Sequence, residues 1–97
     1  MHIISRKTLL LYWAKAPETE QPLKAWFAET EKALWENPSE IKDKYRSASI
    51  LKNNRVVFNI CGNKYRLIVR INYSSKVVFI RFVGTHSEYD KINAEEI

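Results

Sequence analysis

The spacing of apolar residues changes character near residue 55. Before that point apolar side chains return every three or four positions, as on one face of a helix. Beyond it they return every second position, as on one face of a strand. "HIIS", His2 to Ser5, reads as a short edge strand, and Ser5 is placed to cap a helix by accepting a backbone N–H bond. Residues 6–16 are apolar on several sides (Leu9, Leu10, Leu11, Tyr12, Trp13, Ala16), which fits a buried helix that Pro17 interrupts. A second helix is expected from Thr19 to Trp35. Leu23, Trp26, Phe27, Thr30, Ala33 and Leu34 form its core stripe, with Lys24, Glu29, Glu31 and Lys32 on the other side. Asn37, Pro38 and Glu40 make a helix start signal, so residues 38–45 are read as a short helix or turn. "RSASILKNN" reads as a loop.

Three runs then alternate: "RVVFNIC" (55–61), "KYRLIVRINY" (64–73) and "KVVFIRFV" (76–83). Gly62-Asn63 and Ser74-Ser75 separate them, and short links of this kind join antiparallel strands. The expected fold is α+β, with N-terminal helices packed on an antiparallel sheet of three strands, or four if "HIIS" joins it. Pleat parity puts Val56, Phe58, Ile60, Tyr65, Leu67, Val69, Ile71, Tyr73, Val78, Ile80 and Phe82 on the helix side. The opposite side receives Arg55, Asn59, Lys64, Arg66, Arg70, Asn72 and Arg81. Val57, Ile68, Val77, Phe79 and Val83 share that side, so part of it is expected to be covered, by a partner chain or by the C-terminal residues.

Charge sharpens this division. Residues 1–45 carry seven basic and seven acidic side chains, whereas residues 46–86 carry Arg46, Lys52, Arg55, Lys64, Arg66, Arg70, Lys76 and Arg81 and no acid. Charge alone leaves two readings open: a polyanionic partner such as nucleic acid, or a solvated basic sheet. Cys61 is the only cysteine, so no internal disulfide forms and a reduced, cytoplasmic setting is expected. His2, Cys61 and His86 show no metal-ligand spacing, and neither a metal nor another cofactor is expected. No apolar run approaches the length that spans a bilayer, and no signal-peptide cleavage site follows the N-terminal apolar patch.

Arginines on one sheet face suit phosphate oxygens. Cleavage of RNA needs more. The ribose 2′-hydroxyl attacks its own phosphate when a base takes its proton, an acid protonates the leaving oxygen and a cation stabilises the added charge. That scheme requires no metal. In the stretch "VGTHSEYDKI", His86 is the candidate for proton transfer and Tyr89 for stacking or holding a phosphate. Arg66, central in its strand, is the candidate for charge stabilisation. The plain alternatives are a histidine at a strand end, a tyrosine closing the edge of the core and an arginine paired with a helix acid.

"NNRVVFNICGNKYRLIVRINY" followed by "VVFIRFVGTHSEYDKI" resembles the HigB-type toxins of the RelE superfamily. The resemblance runs from "MHIIS" to the end and implies one toxin domain over residues 1–97, with a fold like that of small microbial ribonucleases. It implies a ribosome-dependent endonuclease that cuts mRNA in the A site of the 70S ribosome. It also implies a HigA-like helix-turn-helix antitoxin, through which alone operator DNA is met. Tyr65-Arg66-Leu67 matches the strand whose arginine contacts the scissile phosphate. His86 stands where RelE has a functional arginine, and Tyr89 falls near the family's C-terminal tyrosine. RelE's lysines on the preceding strand are replaced here by Val57 and Asn59. Lys52, Arg55 and Lys64 are the nearby substitutes, and Asn59, Arg70 and Arg81 complete the expected RNA-binding face. The alternative is a non-catalytic RNA- or ribosome-binding module using the same face.

Overall fold

The computed structural model describes residues 1–97. The elements are β1 (His2–Ile4), α1 (Arg6–Lys15), a 3-10 turn (Pro17–Thr19), α2 (Glu20–Lys32), α3 (Pro38–Lys44), β2 (Ser49–Ile50), β3 (Arg55–Ile60), β4 (Tyr65–Asn72), β5 (Val77–Thr85) and α4 (His86–Tyr89). The α+β class and the order of helices before a meander agree with the sequence reading. The sheet is larger and mixed: five strands in the order β1-β5-β4-β3-β2, with β1 parallel to β5. The chain leaves β1 through helices before the meander begins, and such a crossover allows parallel pairing. The one strand that was not foreseen, β2, comes from the stretch read as a loop. Asn53 and Asn54 adopt left-handed backbones (φ 60° and 59°), which asparagine tolerates better than most residues. They centre a tight hairpin turn from β2 into β3, in which the Arg55 N–H donates to the Lys52 carbonyl at 3.3 Å.

Three helix expectations need correction. Helix α1 was expected to be buried, but it buries only Leu9 and Tyr12 and leaves Leu11 exposed. Ser5 occupies the N-cap position of α1, but its backbone is at φ 119° and its side chain makes no capping bond. The Thr8 N–H bonds to the Ser5 carbonyl instead, at 3.0 Å. Helix α2 stops at Lys32, because Ala33 turns extended. Leu34 therefore leaves the expected core stripe and is 71% exposed, while Trp35 turns back into the core. The start of α3 is as expected, with Asn37 Oδ1 accepting from the Glu40 N–H at 3.1 Å.

The main core lies between the helices and one face of the sheet. Leu9 and Tyr12 of α1, Leu23 and Trp26 of α2 and Ile41 of α3 meet Val56, Phe58, Leu67, Val69, Val78 and Ile80. Phe58 is the centre of an aromatic group, 5.5 Å from Trp26, 6.3 Å from Trp35 and 5.1 Å from Tyr45 between ring centroids.

Alternation fails at one place. Ile68 pairs with Phe82 and Val69 with Ile80, so Arg81 is the extra residue of a β-bulge. A bulge reverses parity beyond it. Val83 therefore joins the helix-side core, and Phe82 lies on the far side, the reverse of the uninterrupted alternation. On that far side Val57 and Ile68 are buried with Ala94, against Leu51, Phe82, Tyr89, Ile92 and Ile97. Of the two coverings the sequence allowed, the C-terminal residues provide one.

Candidate active site

Strand β4 begins where β5 ends. Tyr65 pairs with Thr85 and Arg66 with Gly84, so Arg66 lies one strand away from the chain's entry into α4. The side chains of Arg66 and its cross-strand partner Asn59 share a face, and Gly84 stands opposite Arg66 on β5. The Arg66 guanidinium donates to the carbonyl of Asn63 at 2.9 Å and lies 5.8 Å from the centroid of the Tyr89 ring, within reach of a cation–π contact. No acid pairs with it in this arrangement, which removes one of the plain alternatives.

His86 and Tyr89 occupy the two ends of the single turn α4. The His86 N–H donates to the Lys64 carbonyl at 3.1 Å, tying the start of the turn to the β3–β4 hairpin. The imidazole is exposed, with Nδ1 3.6 Å from Asp90 Oδ1. Tyr89 is half-buried and closes the small far-side core. The structure thus gathers Arg66, His86, Tyr89 and Lys64 at one end of the sheet. The Lys64 ammonium lies 3.6 Å from Glu18 Oε2, and Asn59 Nδ2 donates to the Ser47 carbonyl at 3.2 Å.

The remaining basic candidates lie elsewhere. Arg55 pairs across the ladder with Arg70, and Arg81 projects from the bulge. Arg55 Nη2 and Arg81 Nε both donate to the Ile97 carbonyl, at 2.5 and 3.3 Å. Burial, then the like charges of Arg70 and Arg81, lower the pKa of Arg55. Arg70 lies over the Phe79 ring, and the Lys52 N–H bonds to Glu95 at 3.3 Å. The basic face is therefore divided, with the apolar Val57–Ile68–Ala94 cluster between its two ends.

Two acidic residues at the site were not singled out from the sequence. Glu18 accepts a hydrogen bond from the Tyr65 hydroxyl, which holds its carboxyl below the usual range. The same bond pushes Tyr65 up to about 12. Tyr65 stays a phenol at neutral pH and is no base. Glu88 bonds back to the Thr85 N–H at 2.8 Å, which lowers its pKa, while Thr85 Oγ1 accepts from the Glu88 N–H at 3.1 Å. This capping box was legible in the letters "THSE", a Thr followed three residues later by Glu.

The Tyr65–Glu18 bond gives a pH-dependent stability. The native Glu18 carboxyl titrates below its unfolded value, so its contribution is complete above the usual carboxylate range and disappears as pH falls through the native value. The native Tyr65 phenol titrates above its unfolded value near 10, so its contribution is complete below that pH and disappears as pH rises towards about 12. The melting-temperature gap between wild type and Tyr65→Phe is expected to be widest near neutral pH and to narrow at both extremes. A gap independent of pH overturns this reading.

Comparison with known proteins agrees with this architecture. A family model described as the HigB toxin, RelE-like toxic component of a toxin–antitoxin system, matches residues 19–92. The chain is 31% identical over 96 residues to the mRNA interferase toxin HigB of Escherichia coli K12, covering 97% of this chain and 92% of that protein. The same figures describe its likeness to the mRNA interferase HigB of Shigella flexneri. A further HigB from Escherichia coli O6:H1 is 28% identical over 94 residues, covering 95% of this chain and 91% of the relative. The extent of these matches, from the first helices through α4, places the chain in the HigB family of RelE-like toxins of toxin–antitoxin systems.

Proposed function

We propose that this toxin is an endoribonuclease that cleaves mRNA on the ribosome. The observation that carries the reading is the Arg66–Tyr89 cation–π pair, with Tyr89 in the turn that begins at His86, at one end of a sheet built from an acid-free segment. The names of the relatives, mRNA interferases, support the substrate.

The 2′-oxygen of the cut nucleotide attacks the adjacent phosphorus as the bond to the 5′-oxygen breaks. One product ends in a 2′,3′-cyclic phosphate and the other in a 5′-hydroxyl. Arg66 holds the non-bridging oxygens while charge builds on them. His86 is the group that moves a proton, and Asp90 is its nearest carboxylate. Tyr89 offers a ring face to a base and steadies the guanidinium. Lys64 and Asn59 grip the backbone nearby, and Lys52, Arg55, Arg70 and Arg81 contact ribosomal or messenger RNA further along the face. Residues 1–97 act as one domain in the cytoplasm, where ribosomes are. No helix is long and apolar enough to cross a membrane. A helix-turn-helix antitoxin neutralises the toxin, and operator DNA is reached only through that complex.

The test uses purified toxin, programmed 70S ribosomes and mRNA with a single 2′-deoxy nucleotide in the A site. Cleavage of the all-ribose message, with none at the deoxy position, is expected. Cleavage at the deoxy position overturns the chemistry. Binding to the ribosome without any product favours the non-catalytic module.

A further inference from the structure

We infer that Glu88 is a positioning residue of this site: by bonding back to Thr85 it sets the single turn that carries His86 and Tyr89. The inference rests on the proposed function. Helix α4 spans four residues, too short to hold itself by its own backbone bonds. Its orientation comes from its ties. Thr85 and Glu88 bond reciprocally, each through its side chain to the other's N–H. The His86 N–H bonds to Lys64, and the Tyr89 ring packs at the far-side core under Arg66. Of these ties only the Thr85–Glu88 box lies within the segment and spans the turn from its start to the residue before Tyr89.

Gly84 shows how closely the carboxylate fits. A Cβ at Gly84 would lie 2.9 Å from Glu88 Oε1 and 2.5 Å from Phe82 Cζ. The Glu88 carboxylate therefore lies close to the β5 backbone at Gly84, where an added Cβ would force it and the Phe82 ring to shift. Gly84 is also the cross-strand partner of Arg66. The box thus anchors the turn at the strand position opposite the proposed phosphate-binding arginine. Loss of the box frees the backbone N–H of Thr85 and lets the turn fray, which moves His86 and Tyr89 relative to Arg66.

Glutamine separates positioning from chemistry, because it can keep the box but carries no titratable proton. Single-turnover cleavage on programmed ribosomes should fall by about ten- to a hundredfold in Glu88→Ala at saturating ribosomes, with half-saturation unchanged. Glu88→Gln should stay near wild type. Aromatic NMR resonances of His86 and Tyr89 should shift in Glu88→Ala and hold in Glu88→Gln, a readout that does not depend on cleavage. If Glu88→Ala does not fold, Thr85→Ala against Thr85→Ser makes the same comparison from the other partner. A Glu88→Ala enzyme of wild-type rate overturns the inference. So does a Glu88→Gln enzyme as slow as Glu88→Ala, which would give the carboxylate a chemical role. A wild type that binds ribosomes but cuts nothing rejects the proposed function instead, while the NMR comparison still decides whether Glu88 sets the turn.

Discussion

An Arg66→Ala variant cleaves mRNA on programmed ribosomes about a hundred- to a thousandfold more slowly than wild type, the range seen when one preorganised donor to a developing charge is removed. A His86→Ala variant falls by about a hundred- to ten-thousandfold, as expected for loss of a general acid or base. Both remain folded. Arg66 is half-buried and spends its hydrogen bonds on nearby carbonyls of its own hairpin, and His86 is exposed. Arg66→Lys is intermediate, because a point charge replaces a planar fork that also lies over the Tyr89 ring. Rates come from product appearance with toxin and ribosomes in excess over mRNA, beside thermal melting of each variant. Unchanged cleavage and growth arrest in both alanine variants would reject the placement of the site.

Phe58→Ala destabilises the fold by about 3–5 kcal/mol, the usual cost of emptying a buried aromatic position. Phe58 is 2% exposed, and three aromatic rings meet it. They come from α2, from Trp35 in the link beyond it and from Tyr45 after α3, so one truncation loosens the helix layer at several points. Against a typical total of about 5–15 kcal/mol, the variant is expected to populate unfolded chains at growth temperature. Urea denaturation measures the loss, and Phe58→Leu should recover part of it. A loss below about 1 kcal/mol would show that the neighbouring rings collapse into the space.

What the sequence revealed followed from the range of the interaction concerned. Period-two alternation located β3, β4 and β5 and put Arg66 on the face away from the helices. The parallel β1–β5 pairing was invisible because the two strands lie at opposite ends of the chain. Nothing in "VVFIRFV" marks Arg81 as unpaired, so the bulge stayed hidden and Phe82 and Val83 were assigned to the wrong sides. Leu34 was misplaced for a different reason. The helical spacing continues through it, but the backbone opens at Ala33. At the site, a lone histidine among polar residues gave no role by itself, and resemblance to a family supplied one. The capping box in "THSE" was missed although its signal is local, and it explains why His86 and Tyr89 share one short turn.

The parallel edge also governs when the molecule can exist. Strand β1 leaves the ribosome before the other four strands, yet its only partner in the sheet is β5, the last of them to be made. Pairing so distant in sequence closes a large loop and slows folding relative to local contacts. Arg66, His86 and Tyr89 also lie late in the chain, and the latter two follow β5 directly. A nascent chain therefore carries helices and a waiting edge strand but neither a finished sheet nor a site. Competence arrives only once translation has passed β5 and the turn α4.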